Sequence, residues 1–281
     1  MSIREGFVRC FDPHGFHFTR YVEWGDPKNK HVLVCVHGLT RNARDFDYVA
    51  EHLQDAYRVV AVDVVGRGRS DWLRDPADYK YPVYCSDLTT LIARLGVETV
   101  DWLGTSMGGI IGMIMASLPN SPVRKLIVND VGSVVPKAAL ERIGQYVGKS
   151  PVFDDFAKLE AAVRSVSPFG ELTDEQWHHV AVHVAKQDDQ GRWSFRYDPG
   201  IAKNFHAAPP QDVDLRPIWE ALHGPVLVIR GDRSDMVTPA LMDEMRKRPH
   251  TETLVVPNCG HAPMLMDDYQ AGAIRKFLLT A

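Results

Sequence analysis

The 281 residues suit one large domain, and a content of 45% hydrophobic and 24% charged side chains is ordinary for a globular chain. The formal net charge of −4 gives no electrostatic basis for a nucleic-acid partner or an anionic membrane surface, and no apolar run reaches the length of a bilayer span. Residues 1–6 lack the apolar core of a signal peptide, and the four cysteines, Cys10, Cys35, Cys85 and Cys259, show no paired spacing, so the expectation is a cytoplasmic protein with reduced thiols.

In chain order, residues 3–11 and 16–24 read as two strands around a turn at Asp12-Pro13-His14-Gly15. The unbroken apolar run 31–36 is a buried strand, a helix follows over 43–53, and 57–63 is a second buried strand. Helix 84–95, strand 99–103, helix 107–118 and strand 124–129 continue the alternation. Continuous apolar strands alternating with helices predict an α/β fold, a mostly parallel sheet covered on both faces. The pattern breaks over 131–224, which reads as short helices with no strong strand. Within it Thr173 and Gln176 form a capping box ahead of an apolar stripe of Trp177, Val180, Ala181 and Val184, and Asp198-Pro199 starts another helix. The sheet resumes at 225–230 and 253–256, and a last helix covers 267–279. The expected organisation is a core of residues 1–130 and 225–281 with 131–224 inserted as a helical lid over the carboxyl ends of the strands.

The chemistry concentrates at those ends. Gly104-Thr105-Ser106-Met107-Gly108 matches G-x-S-x-G between a predicted strand and a predicted helix, where a sharp turn presents the serine hydroxyl over a helix N-terminus. A serine hydroxyl needs a base, and the base needs a carboxylate to hold its tautomer. His261 stands in a Gly-containing loop after the last strand, and Asp232 and Asp235 follow the preceding strand. The backbone N–H groups of Met107 and Leu39 are the expected oxyanion donors. His37 is expected to brace the loop that carries Leu39, and Asp63, Gly66, Gly68 and Ser70 to form a tight turn kept for its backbone geometry. Arg41, two residues past Leu39, and Trp177 are candidate substrate contacts. His178, His179 and His183 invite a metal reading, but the apolar stripe puts them on the outward helix face and no H-E-x-x-H is present, so neither metal nor cofactor is expected.

Together, His37-Gly38, the run from Asp63 to Ser70, G-x-S-x-G, Gly231-x-x-x-Asp235 and Gly260-His261 resemble the α/β-hydrolase family over nearly the whole chain except 131–224. The resemblance implies a Ser106, Asp235, His261 triad, with Asp130 and Asp232 as rival acids. A serine rather than an aspartate at the elbow points away from dehalogenase or epoxide-hydrolase chemistry. It implies a carboxylesterase-like hydrolase of a small-to-medium acyl substrate working through an acyl-enzyme. The alternatives are a carbon–carbon bond hydrolase or lactonase on the same fold, and a non-catalytic small-ligand receptor that keeps the triad. A homodimer is compatible with this reading.

Overall fold

The structure is a computed structural model that describes residues 3–280; Met1 and Ser2, the start of the stretch read above for a leader, lie outside the described residues. Its strands and helices follow in chain order. β1 (Arg4–Asp12) and β2 (Gly15–Trp24) form a hairpin, and β3 (Val32–Val36) follows. After α1 (Asp47–Leu53) come β4 (Arg58–Asp63), α2 (Tyr81–Leu95), β5 (Val100–Thr105), α3 (Met107–Ala116) and β6 (Val123–Asn129). The inserted segment carries β7 (Val134–Val135), α4 (Lys137–Gly144), α5 (Phe156–Val166), α6 (Asp174–Val184), β8 (Ala185–Gln187), β9 (Trp193–Phe195), α7 (Ala202–Phe205), β10 (Val213–Asp214) and α8 (Arg216–Glu220). The chain closes with β11 (Val226–Gly231), α9 (Pro239–Met245), β12 (Thr251–Val256) and α10 (Asp268–Leu279).

Eight strands form one sheet in the order β1-β2-β4-β3-β5-β6-β11-β12. Pairing is parallel from β4 to β12 and antiparallel at β1–β2 and β2–β4. Because side chains alternate across a strand, the fully buried β3 feeds two cores at once. Val32, Val34 and Val36 join the core under α2 and α3, whereas Leu33 and Cys35 join the one under α1 and α10. Either core is intolerant of voids: truncating a side chain such as Leu33 to Ala costs about 2–5 kcal/mol. Helix α2 shows how the sequence sets an element's limits. Pro82 occupies its first turn, Val83, Leu88, Leu91, Ile92 and Leu95 make the buried stripe, and Gly96 ends it at φ 68°.

The inserted segment departs from the sequence reading in two ways. The expectation of no strong strand misses the antiparallel hairpin β8–β9 and the short β7–β10 pair. These strands are three and two residues long, too short for an alternation to show in the sequence. The predicted stripe on α6 is buried, but in a separate small core with Leu159, Val163, Met264 and Met266 rather than directly on the sheet edge. The capping box at Thr173 and Gln176 is formed as read, with both reciprocal hydrogen bonds, at 2.9 and 3.2 Å. No helix among the described residues is long and apolar enough to cross a membrane.

Candidate active site

Strand β5 turns into α3 at Ser106, which holds φ 52° and ψ −114°. Such angles cost a non-glycine residue roughly 1–3 kcal/mol and persist only where the surroundings enforce them. Here the backbone crowds in from both sides. A Cβ on Gly104 would sit 2.2 Å from the Gly108 carbonyl oxygen, and one on Gly108 would sit 1.9 Å from that of Val36. The Ser106 N–H is tied to the Asn129 carbonyl at 2.9 Å. The hydroxyl is thereby held at the carboxyl edge of the sheet, above the N-terminus of α3.

His261 meets it from the loop after β12, with Nε2 3.0 Å from Ser106 Oγ. On the other side of the ring, Nδ1 lies 2.9 Å from Oδ2 of Asp130. Asp130 follows β6 and is fully buried. Its Oδ2 also accepts the Ser234 hydroxyl at 2.8 Å, and Oδ1 accepts the Gly231 N–H at 3.2 Å. These bonds fix the carboxylate and leave it the natural acceptor for an Nδ1–H, which makes Nε2 the basic nitrogen facing serine.

This corrects the expected acid. Asp235 does not touch His261: its side chain is 41% exposed and both oxygens are gripped by Arg142, at 2.6 and 2.9 Å. Burial alone would raise its pKa, but the Arg142 guanidinium more than offsets that and holds the carboxyl below its usual range. Asp232 is spent on the Cys259 N–H at 3.0 Å. The end of β11 and the loop after it therefore contribute the Gly231 amide and Ser234, and the residue after β6 supplies the carboxylate that meets His261.

The loop after β3 is braced as the sequence suggested, and more heavily. His37 is fully buried; Nδ1 donates to the Gly38 carbonyl at 2.7 Å and Nε2 accepts the Val64 N–H at 3.0 Å. Burial pushes its pKa down to about 3, so the ring stays neutral. In a trans peptide C=O and N–H point opposite ways, so anchoring the Gly38 carbonyl on His37 turns the Leu39 N–H away from that ring. Gly38 itself packs against Ser106, 3.7 Å from Cβ to Cβ were it alanine. Met107, first residue of α3, has an N–H with no acceptor in the helix.

Sequence reasoning passed over Arg67. It is fully buried, and its Nε donates to the Leu39 carbonyl at 2.8 Å while Nη1 reaches Val65 O and the Tyr84 hydroxyl. An arginine inside a Gly-rich turn reads as surface charge, and only the fold reveals it as an internal strut. Asn129, which donates to Thr105 Oγ1 and the Pro263 carbonyl, was missed for the same reason. The turn itself is as expected: Asp63 accepts the Ala43 and Arg69 N–H groups, each at 2.8 Å, and a Cβ on Gly68 (φ 56°) would strike that carboxylate.

A cavity of about 760 Å³ opens over Ser106 and His261, lined by the loop after β3 and by the inserted segment. Arg41 lines it but is paired with Asp45 through Nε and Nη2, at 2.8 and 2.5 Å. Trp177, expected against substrate, is not part of the lining. It is buried in the small core of the insertion, stacked on Phe169 at 5.8 Å. The aromatics that line the cavity are Tyr146, Phe169, Phe195 and Tyr197, Phe195 coming from the hairpin the sequence did not announce. Lys149 also lines it, exposed and in no ion pair with a described residue.

Of the histidines of α6, His178 is exposed as expected, beside Glu160, but His179 and His183 are not on an outward face. His179 donates through Nε2 to the Arg44 carbonyl at 3.0 Å, packs on His183 at 4.5 Å, and with Asp47 forms a three-residue cluster against α1. Asp47 is already bound by the Arg44 guanidinium at 2.5–2.9 Å. Burial first, then Arg44 and His179, hold His183 down to about 3. The cluster ties the insertion to the core, and its charge surroundings disfavour a cation.

The model of the alpha/beta hydrolase fold family matches residues 31–268, most of the chain. The chain belongs to the α/β-hydrolase family. This α/β hydrolase is 47% identical to a 3-hydroxybutyrate-oligomer hydrolase of Cupriavidus necator over 290 aligned positions, covering 100% of this chain and 99% of the relative. A solved structure from Rickettsia typhi superposes with a TM-score of 0.91 at 34% identity, covering 99% of each chain. An alpha/beta hydrolase from Novosphingobium aromaticivorans gives 0.88 at 33% identity, covering 98% of each.

Proposed function

We propose that this α/β hydrolase is a serine hydrolase that cleaves the ester bonds of short 3-hydroxy-acid oligomers through an acyl-enzyme. The observation that carries the reading is the continuous hydrogen-bonded line from Ser106 Oγ through the His261 ring to buried Asp130. Such a line makes a neutral hydroxyl nucleophilic. Ser106 Oγ attacks the ester carbonyl while Nε2 of His261 takes its proton, and Asp130 stabilises the imidazolium. The carbonyl oxygen becomes an oxyanion that the N–H groups of Leu39 and Met107 receive. His261 then protonates the departing alkoxide, which here is the hydroxyl of the next hydroxy-acid unit. Water, deprotonated by the same Nε2, releases the acyl group and restores the serine.

The substrate class rests on the full-length similarity to the Cupriavidus necator relative and on the cavity above the serine. Its walls mix apolar side chains (Leu39, Ile143, Val184) with donors (Tyr146, Lys149), which suits a chain of alternating methyl branches and ester carbonyls. The inserted segment acts as the lid that sets chain length. A free oligomer ends in a carboxylate. Arg41 and Arg142 are neutralised by Asp45 and Asp235, so among the described residues Lys149 is the lining cation left to receive that end.

Incubation of the purified chain with the linear dimer of 3-hydroxybutyrate tests this. Release of monomer by the wild type and none by Ser106→Ala is the expected result. No release by the wild type, with p-nitrophenyl butyrate still hydrolysed, would retain the serine hydrolase and reject the substrate class.

A further inference from the structure

Strand β1 is the outermost strand of the sheet, nine residues long and paired on one side only, with β2. A long open edge with apolar side chains is a pairing surface that monomeric proteins normally blunt. The charges on the exposed face of this one, Glu5 and Arg9, are of opposite sign. On the face turned from α2, the strand presents Glu5, Phe7, Arg9 and Phe11, with Ile3 just before it; Phe7 is 56% and Phe11 63% exposed. Phe16 and Phe18 of β2 extend the patch, set edge-on to Phe11 and Phe7 at 5.3 and 5.2 Å.

Read along the strand, this face runs apolar, acid, aromatic, base, apolar, so it is complementary to itself when reversed. We infer that β1 pairs antiparallel with β1 of a second copy about a two-fold axis at Phe7, joining the two sheets into one. That register sets Glu5 opposite Arg9 of the second copy, twice by symmetry. It also sets Phe7 opposite Phe7, and Ile3 opposite Phe11. Opposite charges and paired aromatics across neighbouring strands are favourable, and like charges are not. Neighbouring registers fail on these terms. An axis at Arg9 or at Glu5 sets a charge against itself, and an axis at Gly6 or Val8 sets each charge against an apolar side chain. A shift by an odd number of residues puts the two outward faces on opposite sides of the joined sheet. Glu5 is engaged in its own chain by Arg69 through Oε1 alone, which leaves Oε2 for the second copy. A two-fold, isologous contact is the common form for homodimers.

Charge reversal reads this directly. Sedimentation equilibrium should give a dimer for the wild-type chain and monomers for Glu5→Arg and for Arg9→Glu. An equimolar mixture of the two variants should form a heterodimer, because each then offers what the other lacks, and the doubly reversed chain should dimerise again. Ester hydrolysis by each variant reports that it is folded. Phe7→Cys covers the case of a variant that fails to fold: residues facing each other across an antiparallel pair have the Cα spacing of a disulfide. Mild oxidation should therefore link Phe7→Cys chains into a covalent dimer, with the wild type unlinked. A monomeric wild type, single reversals that stay dimeric, a mixture that stays monomeric, or a Phe7→Cys chain that does not cross-link would each overturn the inference.

Discussion

Asp130 Oδ2 accepts the Nδ1–H of His261 at 2.9 Å in a fully buried setting, while Asp235, nearby in the same corner, is spent on Arg142. The two carboxylates thus carry different loads. Asp130→Asn should lower kcat by about 10³–10⁴-fold, because an amide cannot hold the Nδ1–H tautomer or offset the imidazolium. Asp235→Asn should cost less than about tenfold. Steady-state kinetics on one ester decides it, and the reverse ranking would return the acid to the loop after β11.

His37 should act on rate through the loop it braces. Truncating His37 to Ala frees the Gly38 carbonyl, lets the Leu39 amide swing, and should lower kcat by about 10²-fold with little change in KM, the signature of a lost oxyanion donor.

The same histidine gives a pH dependence of stability. Its folded pKa of about 3 lies below the ordinary value of 6.5, so between these the unfolded chain binds the extra proton. Stability from this group is complete above pH 6.5 and is lost as pH falls toward 3, with a slope of about 1.4 kcal/mol per pH unit. His183, also held to about 3, acts in the same direction. Urea unfolding from pH 7 to 4 should show a smaller loss for His37→Gln than for the wild type; equal slopes would contradict the assignment.

Trp177→Ala should be a stability variant. A large side chain in the insertion's own core costs about 3–5 kcal/mol when truncated, and thermal melts should show it. A selective change in acyl-length preference without loss of stability would mean that Trp177 contacts substrate. Lys149→Met should behave oppositely: an unchanged melt, with a KM raised about tenfold for the free-acid dimer and not for its methyl ester. Arg41→Ala should affect acid and ester alike if Asp45 keeps its charge neutralised.

What was legible in the sequence follows from the range of the interactions involved. Strands such as Val32–Val36 announce themselves because every side chain is buried, and the elbow announces itself because its glycines and serine fall within five consecutive residues between a strand and a helix. Thr173 and Gln176 could be read as a cap because both partners lie in one turn. The choice between Asp130 and Asp235 could not be read that way. Both follow core strands, and what separates them is a residue 93 positions from Asp235, Arg142 in the insertion, whose reach only the fold determines. Arg67 and the β8–β9 hairpin were hidden likewise, being defined by distant contacts rather than by local pattern.

The most direct test of the central claim is to catch the acyl-enzyme. Wild-type chain mixed with the 3-hydroxybutyrate trimer, acid-quenched within a turnover and digested, should carry one or more hydroxybutyryl units on the peptide holding Ser106 when read by mass spectrometry. His261→Ala and Ser106→Ala chains should carry none. Steady turnover of the trimer with the Ser106 peptide unmodified at every quench time, and with activity kept in Ser106→Ala, would contradict the account.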